Sequence, residues 1–500
     1  VSAFGGEAPG AAAEAQRAIA RFLSNSKEPA LIEAGEEPIE LAKGNYALQW
    51  RGGSLMLQAW DDRRNIVRRI TGVDSETRGR LDLNIERFGK RTGTLSLVDL
   101  RAPRNTHAGR RAVRGAYGEI FRRALHRQFT GCSIVDLSSS PDLERSLSAR
   151  YTRALLRRGT SGWAAIGAPP GDGVDGVLTF GLIWLDYLRA RERRLAMEGL
   201  ALFLPAADLT VTCLRLKHLN QRAAQFAVFA QLEDGYEERI DCADFGNLET
   251  RLESCAADPP DRPEHIRQWS DRIAAIRDVE RIERGDGSVS LRVRGLEFAR
   301  AAGARLIWGL ETKRTATASN LLEIERLAVE LARLRSAECA DPQNAVYLRN
   351  AEGWLESQVR RELTEIDPTL VPHPLYGQAP TFAAGDRDII DLLAVDHAGR
   401  LAVLEVKASE DIHLPLQALD YWMRVKWHAE RGEFSSRGYF PGRELQRTAP
   451  RLMLIAPALQ FHPANEVILR YFDPSIEVAR IGVGMEWRKG LKVMFRYGAN

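Results

Sequence analysis

Residues 387–409, RDIIDLLAVDHAGRLAVLEVKAS, decide how this chain is read. Two apolar runs flank a polar, glycine-containing break at Asp396–Arg400, which predicts two strands joined by a tight turn. The first strand carries Asp391 amid Ile389, Ile390, Leu392 and Leu393; the second carries Glu405 and Lys407 amid Leu401, Val403, Leu404 and Val406. Alternation along a strand points Glu405 and Lys407 to one side and Leu404 and Val406 to the other. Burying a carboxylate and an ammonium is costly unless they are paired or a metal binds there.

If the hairpin aligns Asp391 with Glu405, two like charges converge and repel unless a cation sits between them. Hard oxygen ligands suit Mg²⁺ or Mn²⁺, which use one or two carboxylates and keep several waters. Lys407 could then orient or deprotonate an attacking water, or stabilise charge on a phosphate. Working outward, AEGWLESQVRREL (351–363) reads as a helix with Leu355, Val359 and Leu363 on one stripe and Glu356 beside it. VPHPLYGQAP (371–380) reads as an irregular or edge segment. LPLQALDYWMRVKWHAE (414–430) reads as a helix with Gln417 and Tyr421 one turn apart on the same face.

Asp391 followed by Glu405-Val406-Lys407 resembles the motif of the PD-(D/E)XK nuclease superfamily, with Glu356 matching an upstream acid that many members carry. Gln417-x-x-x-Tyr421 is similar to a motif of its RecB-like branches, and a VRR-NUC-like layout is also similar. RLMLIAPAL, EVILRYF and IEVARIGV fit the later strands and helix of such a domain. The resemblance covers roughly residues 345–500 and departs at Ile390, where the motif has proline. It implies a central mixed sheet flanked by helices, and Mg²⁺- or Mn²⁺-dependent hydrolysis of phosphodiester bonds. Asp391 and Glu405 would hold one or two metal ions with the Val406 carbonyl as a further ligand, Glu356 would support the site, and Lys407 would position the nucleophile. Gln417 and Tyr421 would contact nucleic acid or brace the site. DNA is the implied partner, and many enzymes of this fold act as homodimers. Defence or repair is the implied setting.

The remainder of the chain carries no comparable constellation. The expected class is a multidomain α/β (α+β) protein: a β-rich module over 1–110, an α/β domain over 111–256, a linker over 257–265, a β-hairpin module plus helix over 266–340, and the nuclease-like domain over 341–500. Within 111–256, PDLERSLSARYTRALLRRG (141–159) reads as helix, WAAIGA, GLALFLP and TVTCLRL as strands, and GVLTFGLIWLDYL as strand or strand leading into helix. NLLEIERLAVELARLRS (320–336) reads as an amphipathic helix. Two stretches share a pattern: Arg69-Ile70 before Gly79, then Leu81, Leu83, Ile85 and Phe88; and Arg281-Ile282 before Gly287, then Val289, Leu291, Val293 and Leu296. Both then reach a further glycine, Gly93 or Gly303. A duplicated hairpin module, each copy preceding an α/β domain, accounts for this; the plainer account is that any two hairpins alternate so. Under duplication, 111–256 would be an inactive nuclease-like lobe, since no Asp/Glu-x-Lys stands where one is needed.

The chain of 500 residues has a net charge of +3, so any nucleic-acid surface must be a local patch. The densest basic run spans Arg101, Arg104, Arg110, Arg111, Arg114, Arg122, Arg123 and Arg127; a second holds Arg488, Lys489, Lys492 and Arg496. Phosphate contact is one reading; a solvated helix face is the other. The five cysteines are scattered, with no spacing for zinc. His413 and His428 flank the motif, and each reads more readily as structural. Absence of a secretory pattern and of long apolar runs sets the expectation of a cytoplasmic protein with no membrane partner. The competing functions are a silent nucleic-acid-binding or assembly protein retaining the fold, and an RNase.

Overall fold

Apolar residues at alternate positions shape the first hundred residues into strands. The computed structural model describes residues 9–498 except 27, 34–38, 42–45, 52–53, 61–64, 78, 88–90, 100–106, 143–144, 149, 170–172, 233–234, 245, 247, 249, 256–261, 285–286 and 384–385. Side chains are not described at 9–10, 33, 51, 54, 60, 65–66, 87, 91–92, 107–116, 378–383 and 386–390. The protein is multidomain α/β, with mixed sheets and a β-rich N-terminal region. It divides into two compact units, the first made mostly of residues up to 247 and the second lying within 248–500.

Helix α1 (Pro9–Asn25) packs on a seven-stranded antiparallel sheet made of β1 (Pro29–Glu33), β2 (Ile39–Glu40), β3 (Tyr46–Arg51), β4 (Ser54–Trp60), β5 (Asn65–Thr77), β6 (Arg80–Arg87) and β7 (Arg91–Asp99), in the order β2-β1-β7-β6-β5-β4-β3. No element is expected over 9–25, yet Ala15, Ala18, Ile19 and Phe22 fall at helical spacing and bury one face against Leu57, Leu83 and Leu95.

The same unit continues with α2 (His107–Gln128), β8 (Ser133–Ser138), β9 (Thr152–Arg158), β10 (Ser161–Gly167), α3 (Val177–Arg191), β11 (Ala196–Pro205), α4 (Thr210–Leu216), β12 (Gln225–Gln231) and β13 (Glu237–Ile240). These strands form a six-stranded mixed sheet in the order β13-β12-β11-β10-β9-β8. Three segments differ from expectation. Thr152–Arg158, read as the end of a helix, is β9, whose residues 152–156 are all buried, so no helical stripe separates the faces. TVTCLRL is α4, where Leu209, Cys213 and Leu216 recur at helical spacing toward the core. GVLTFGLIWLDYL lies in α3 and its approach, and contains no strand; burial of nearly its whole circumference hides the period.

In the second unit, β14 (Thr250–Leu252) precedes α5 (Glu264–Ala274) and an antiparallel meander of β15 (Val279–Glu283), β16 (Val289–Val293), β17 (Leu296–Ala302), β18 (Arg305–Trp308) and β19 (Arg314–Thr315), then α6 (Leu321–Leu334). Helices α5 and α6 cover the meander with Ile266, Ile273, Ile324 and Leu331. Gly79 and Gly287 both turn at positive φ, but the parallel stops at the next glycine. Gly303 turns β17 into β18, whereas Gly93 lies inside β7. Phe88 and most of the expected linker lie outside the described residues, and Glu264 and His265 already open α5.

The last domain follows with α7 (Ala345–Leu348), α8 (Ala351–Arg361), α9 (Leu363–Ile366), β20 (Tyr376–Ala383), β21 (Asp386–Val395), β22 (Leu401–Val406), α10 (Leu414–Glu430), α11 (Glu433–Ser436), β23 (Arg451–Pro457), α12 (Pro463–Leu469), β24 (Val478–Val483) and β25 (Val493–Gly498). Its sheet runs β14-β20-β21-β22-β23-β24-β25, so Thr250–Leu252, expected in the middle domain, pairs instead with β20. The segment read as irregular or edge becomes the interior strand β20 from Tyr376 onward. Trp354, Leu355 and Val359 of α8 pack with Leu392, Leu404, Val406 and Met453 in the core beneath the candidate site.

Candidate functional site

The β21–β22 hairpin sets the geometry. Gly399 turns it at φ +85°, with the Asp396 amide donating to the Arg400 carbonyl at 2.9 Å. Leu392 pairs with Leu404, Leu393 with Val403, Ala394 with Ala402 and Val395 with Leu401. The next pair in that register is Asp391 with Glu405, and opposed residues of an antiparallel pair share a face. The Asp391 carboxylate accepts from the Val406 amide at 2.9 Å.

Glu405 is 1% exposed, and among the described residues its Oε2 has no hydrogen-bond partner. Burial, and after it the Asp391 charge, pushes the Glu405 carboxyl well above the usual range. Burial likewise pushes Asp391 up to about 7, with Glu356 and Glu352 adding to the rise and Lys407 opposing it. Lys407 lies with Nζ 3.3 Å from Glu405 Oε1 and donates to Glu352 Oε1 at 2.8 Å. Burial works against its charge, but Glu405 and Glu352 outweigh it and raise the ammonium above its ordinary value. The amine therefore keeps its proton, which favours orienting a nucleophile or neutralising phosphate charge over proton abstraction.

Glu356 is buried on α8, where Arg360 Nη2 donates to its Oε1 at 2.8 Å. Its charge reaches Asp391, while its carboxylate is committed to the guanidinium. Gly377 of β20 lies against this pair: a Cβ there would collide with Arg360 Nη2 and come within 3.1 Å of Glu356 Oε1. Glu352, one turn before Glu356 on α8, is the partner of Lys407 that the motif does not mark. Helical spacing sets it on the Glu356 face of α8, but nothing local in the sequence marks its contact with Lys407.

Gln417 and Tyr421 lie half-buried on α10, the helix that packs on β22 and β23. His428, at the far end of α10, is buried between Thr250 Oγ1 at 3.0 Å and Glu433 Oε2 at 2.6 Å, a structural placement. His413 stands just before the first residue of α10.

The second basic cluster is dispersed in its contacts. Arg488 lies over Trp487, 4.2 Å from the ring centroid, and over Trp354 and Tyr347 at 5.2 Å each. Lys489 pairs with Glu486 at 2.7 Å, Arg496 binds the carbonyls of Glu365 and Ile366, and Lys492 is exposed. Of the first cluster, Arg122 and Arg123 are exposed and Arg127 pairs with Glu237 at 2.5 Å. Arg101 and Arg104, and the side chains of Arg110, Arg111 and Arg114, lie outside what is described.

Among the described residues no three His, Cys, Asp or Glu side chains converge as a ready cage for a metal. Two carboxylates opposed in the hairpin register, one with a buried oxygen unpartnered among the described residues, nevertheless suit a hard cation that keeps most of its waters. Among the described residues, no helix is long and apolar enough to cross a membrane. No protein-family model, curated protein or solved structure matches this chain.

Proposed function

We propose that the protein is a metal-dependent nuclease that hydrolyses phosphodiester bonds in DNA, with Asp391, Glu405 and Lys407 at its centre. The observation that carries this reading is the buried Glu405, its Oε2 without a partner among the described residues, opposite Asp391 in the hairpin register and 3.3 Å from the Lys407 ammonium. An acid pair held in this way destabilises the chain by itself, and a divalent cation offsets that cost.

Asp391, Glu405 and the Val406 carbonyl are the groups that would hold Mg²⁺ or Mn²⁺, which supplies an activated water and charge neutralisation at phosphorus. Lys407 sits beside the acids as a fixed cation, placed to orient the water and to meet negative charge developing on the phosphate. In the reaction the water oxygen bonds to phosphorus, the bond to the departing sugar oxygen breaks, and a proton passes to that oxygen. Glu356, braced by Arg360, and Glu352, paired with Lys407, hold the set in register.

The test is cleavage of plasmid DNA, single-stranded DNA and equal-length RNA with Mg²⁺ or Mn²⁺. The expected result is DNA cleavage that stops with chelator and with Asp391→Asn. Binding without cutting under either metal would favour the silent nucleic-acid-binding reading, and cutting of RNA alone would make the protein an RNase.

A further inference from the structure

The two mixed sheets follow one plan. In the first, β9 pairs antiparallel with β10, β10 and β11 pair parallel, β11 and β12 pair parallel, and β12 pairs antiparallel with β13. Strands β21 to β25 repeat that series of pairings. Helices α3 and α10 make the first parallel crossover in each, and α4 and α12 the second. The match reaches single residues. Strands β11 and β23 end on Pro205 and Pro457, at φ, ψ of −55°, 138° and −56°, 139°, and each proline leads into one turn of 3-10 helix.

Beyond β10, the Ala168 amide donates to the Phe203 carbonyl, two residues before Pro205, at 3.0 Å. Beyond β22, the Lys407 amide donates to the Ile455 carbonyl, two residues before Pro457, at 2.9 Å. Ala168 therefore holds the place of Lys407, and Ile166 that of Glu405. Ile166 pairs with Arg153, which places Arg153 where Asp391 stands. Ile166 and Ala168 are fully buried, and their side chains have no group to offer a cation. Arg153 is buried too, its guanidinium donating to the carbonyls of Ser140 at 2.6 Å and Ser148 at 2.8 Å. A fixed positive charge where the acid stood repels a divalent ion.

We infer that residues 107–240 are a second copy of the C-terminal domain with its catalytic set replaced by Arg153, Ile166 and Ala168, so that each chain holds one hydrolytic centre and, acting alone, opens one strand of a duplex per encounter. The inference rests on the nuclease reading and adds the number of centres and the form of the product. Each encounter adds one water across one phosphorus–oxygen bond and leaves a nick.

Two measurements on the full-length chain test it. In a Mn²⁺ titration by calorimetry, the wild type is expected to show one class of sites and the Asp391→Asn, Glu405→Gln double variant none. Asp391→Asn alone serves if the double variant does not fold. Saturable Mn²⁺ binding left in the variant would overturn the inference while leaving wild-type cleavage intact. With limiting enzyme shown by sedimentation to be monomeric, and supercoiled plasmid, open circles are expected to accumulate before any linear form; direct conversion to linear DNA by the monomer overturns it. A wild type that neither binds Mn²⁺ nor cuts sinks the nuclease reading itself, and this inference with it.

Discussion

Asp391 and Glu405 are where the folded chain works against itself electrostatically. Asp391 is raised to about 7 from an ordinary value near 3.8, mainly by burial. Between those values the folded state holds a proton that the unfolded state releases, so stability falls as pH rises through that window. The metal-free melting temperature of this domain should therefore drop from pH 5 to pH 8, and Asp391→Asn should flatten the drop; calorimetry at several pH values reads it, and a flat wild-type profile counts against the assignment. On the proposed reading, metal uptake displaces the protons of both raised acids, so apparent Mn²⁺ affinity should rise steadily with pH up to and through 7. Lys407→Ala removes the cation beside Glu405, and cleavage should fall on the order of 10²–10³-fold, the usual cost of losing one electrostatic contact to a transition state. These residue types and spacings were legible in the sequence. The lysine's second partner, Glu352, was not, because helix-to-strand contacts leave no local pattern.

At the scale of elements, a turn and a close approach keep the acids in place. Gly399 holds φ +85°, and a Cβ there would run into the Glu444 carbonyl. Gly399→Ala should cost about 1–3 kcal/mol for the left-handed backbone alone, and any slip of the hairpin separates Asp391 from Glu405. A thermal melt and a cleavage rate check both parts; an unchanged melt would show that the turn does not hold the register. Gly377→Ala should push Arg360 off Glu356 and lower activity with a smaller loss of stability. The hairpin and helix α10 were readable because polarity alternates or repeats along them. Strand β9 and helix α3 were misread because burial on every side erases both periods.

Across the whole molecule, the two compact units carry separate cores: Leu57, Leu83 and Leu95 with α1, and Phe203 with Phe229, in the first; Trp354, Leu404 and Met453 in the second. Heat should unfold them in two calorimetric transitions rather than one. Mn²⁺ at a hundred times its dissociation constant should stabilise only the second unit, by about 2.7 kcal/mol, and Asp391→Asn should abolish the shift. A single transition, or equal shifts of both, would count against one metal centre lying in residues 248–500.

The amino-acid order alone determined the hairpin, its turn, the helices on either side and the candidate acids and amine, because each leaves a mark within about twenty neighbouring residues: an alternation, a helical stripe, a glycine at a turn. Only the tertiary structure decided that Thr250–Leu252 joins the last sheet, that Glu352 meets Lys407, and that Ile166 and Arg153 stand where Glu405 and Asp391 do. Those relations arise from pairing between distant strands, whose hydrogen bonds run through the backbone and are blind to side-chain identity. Two copies of one sheet can therefore keep their pairing while the residues that would announce the kinship are replaced.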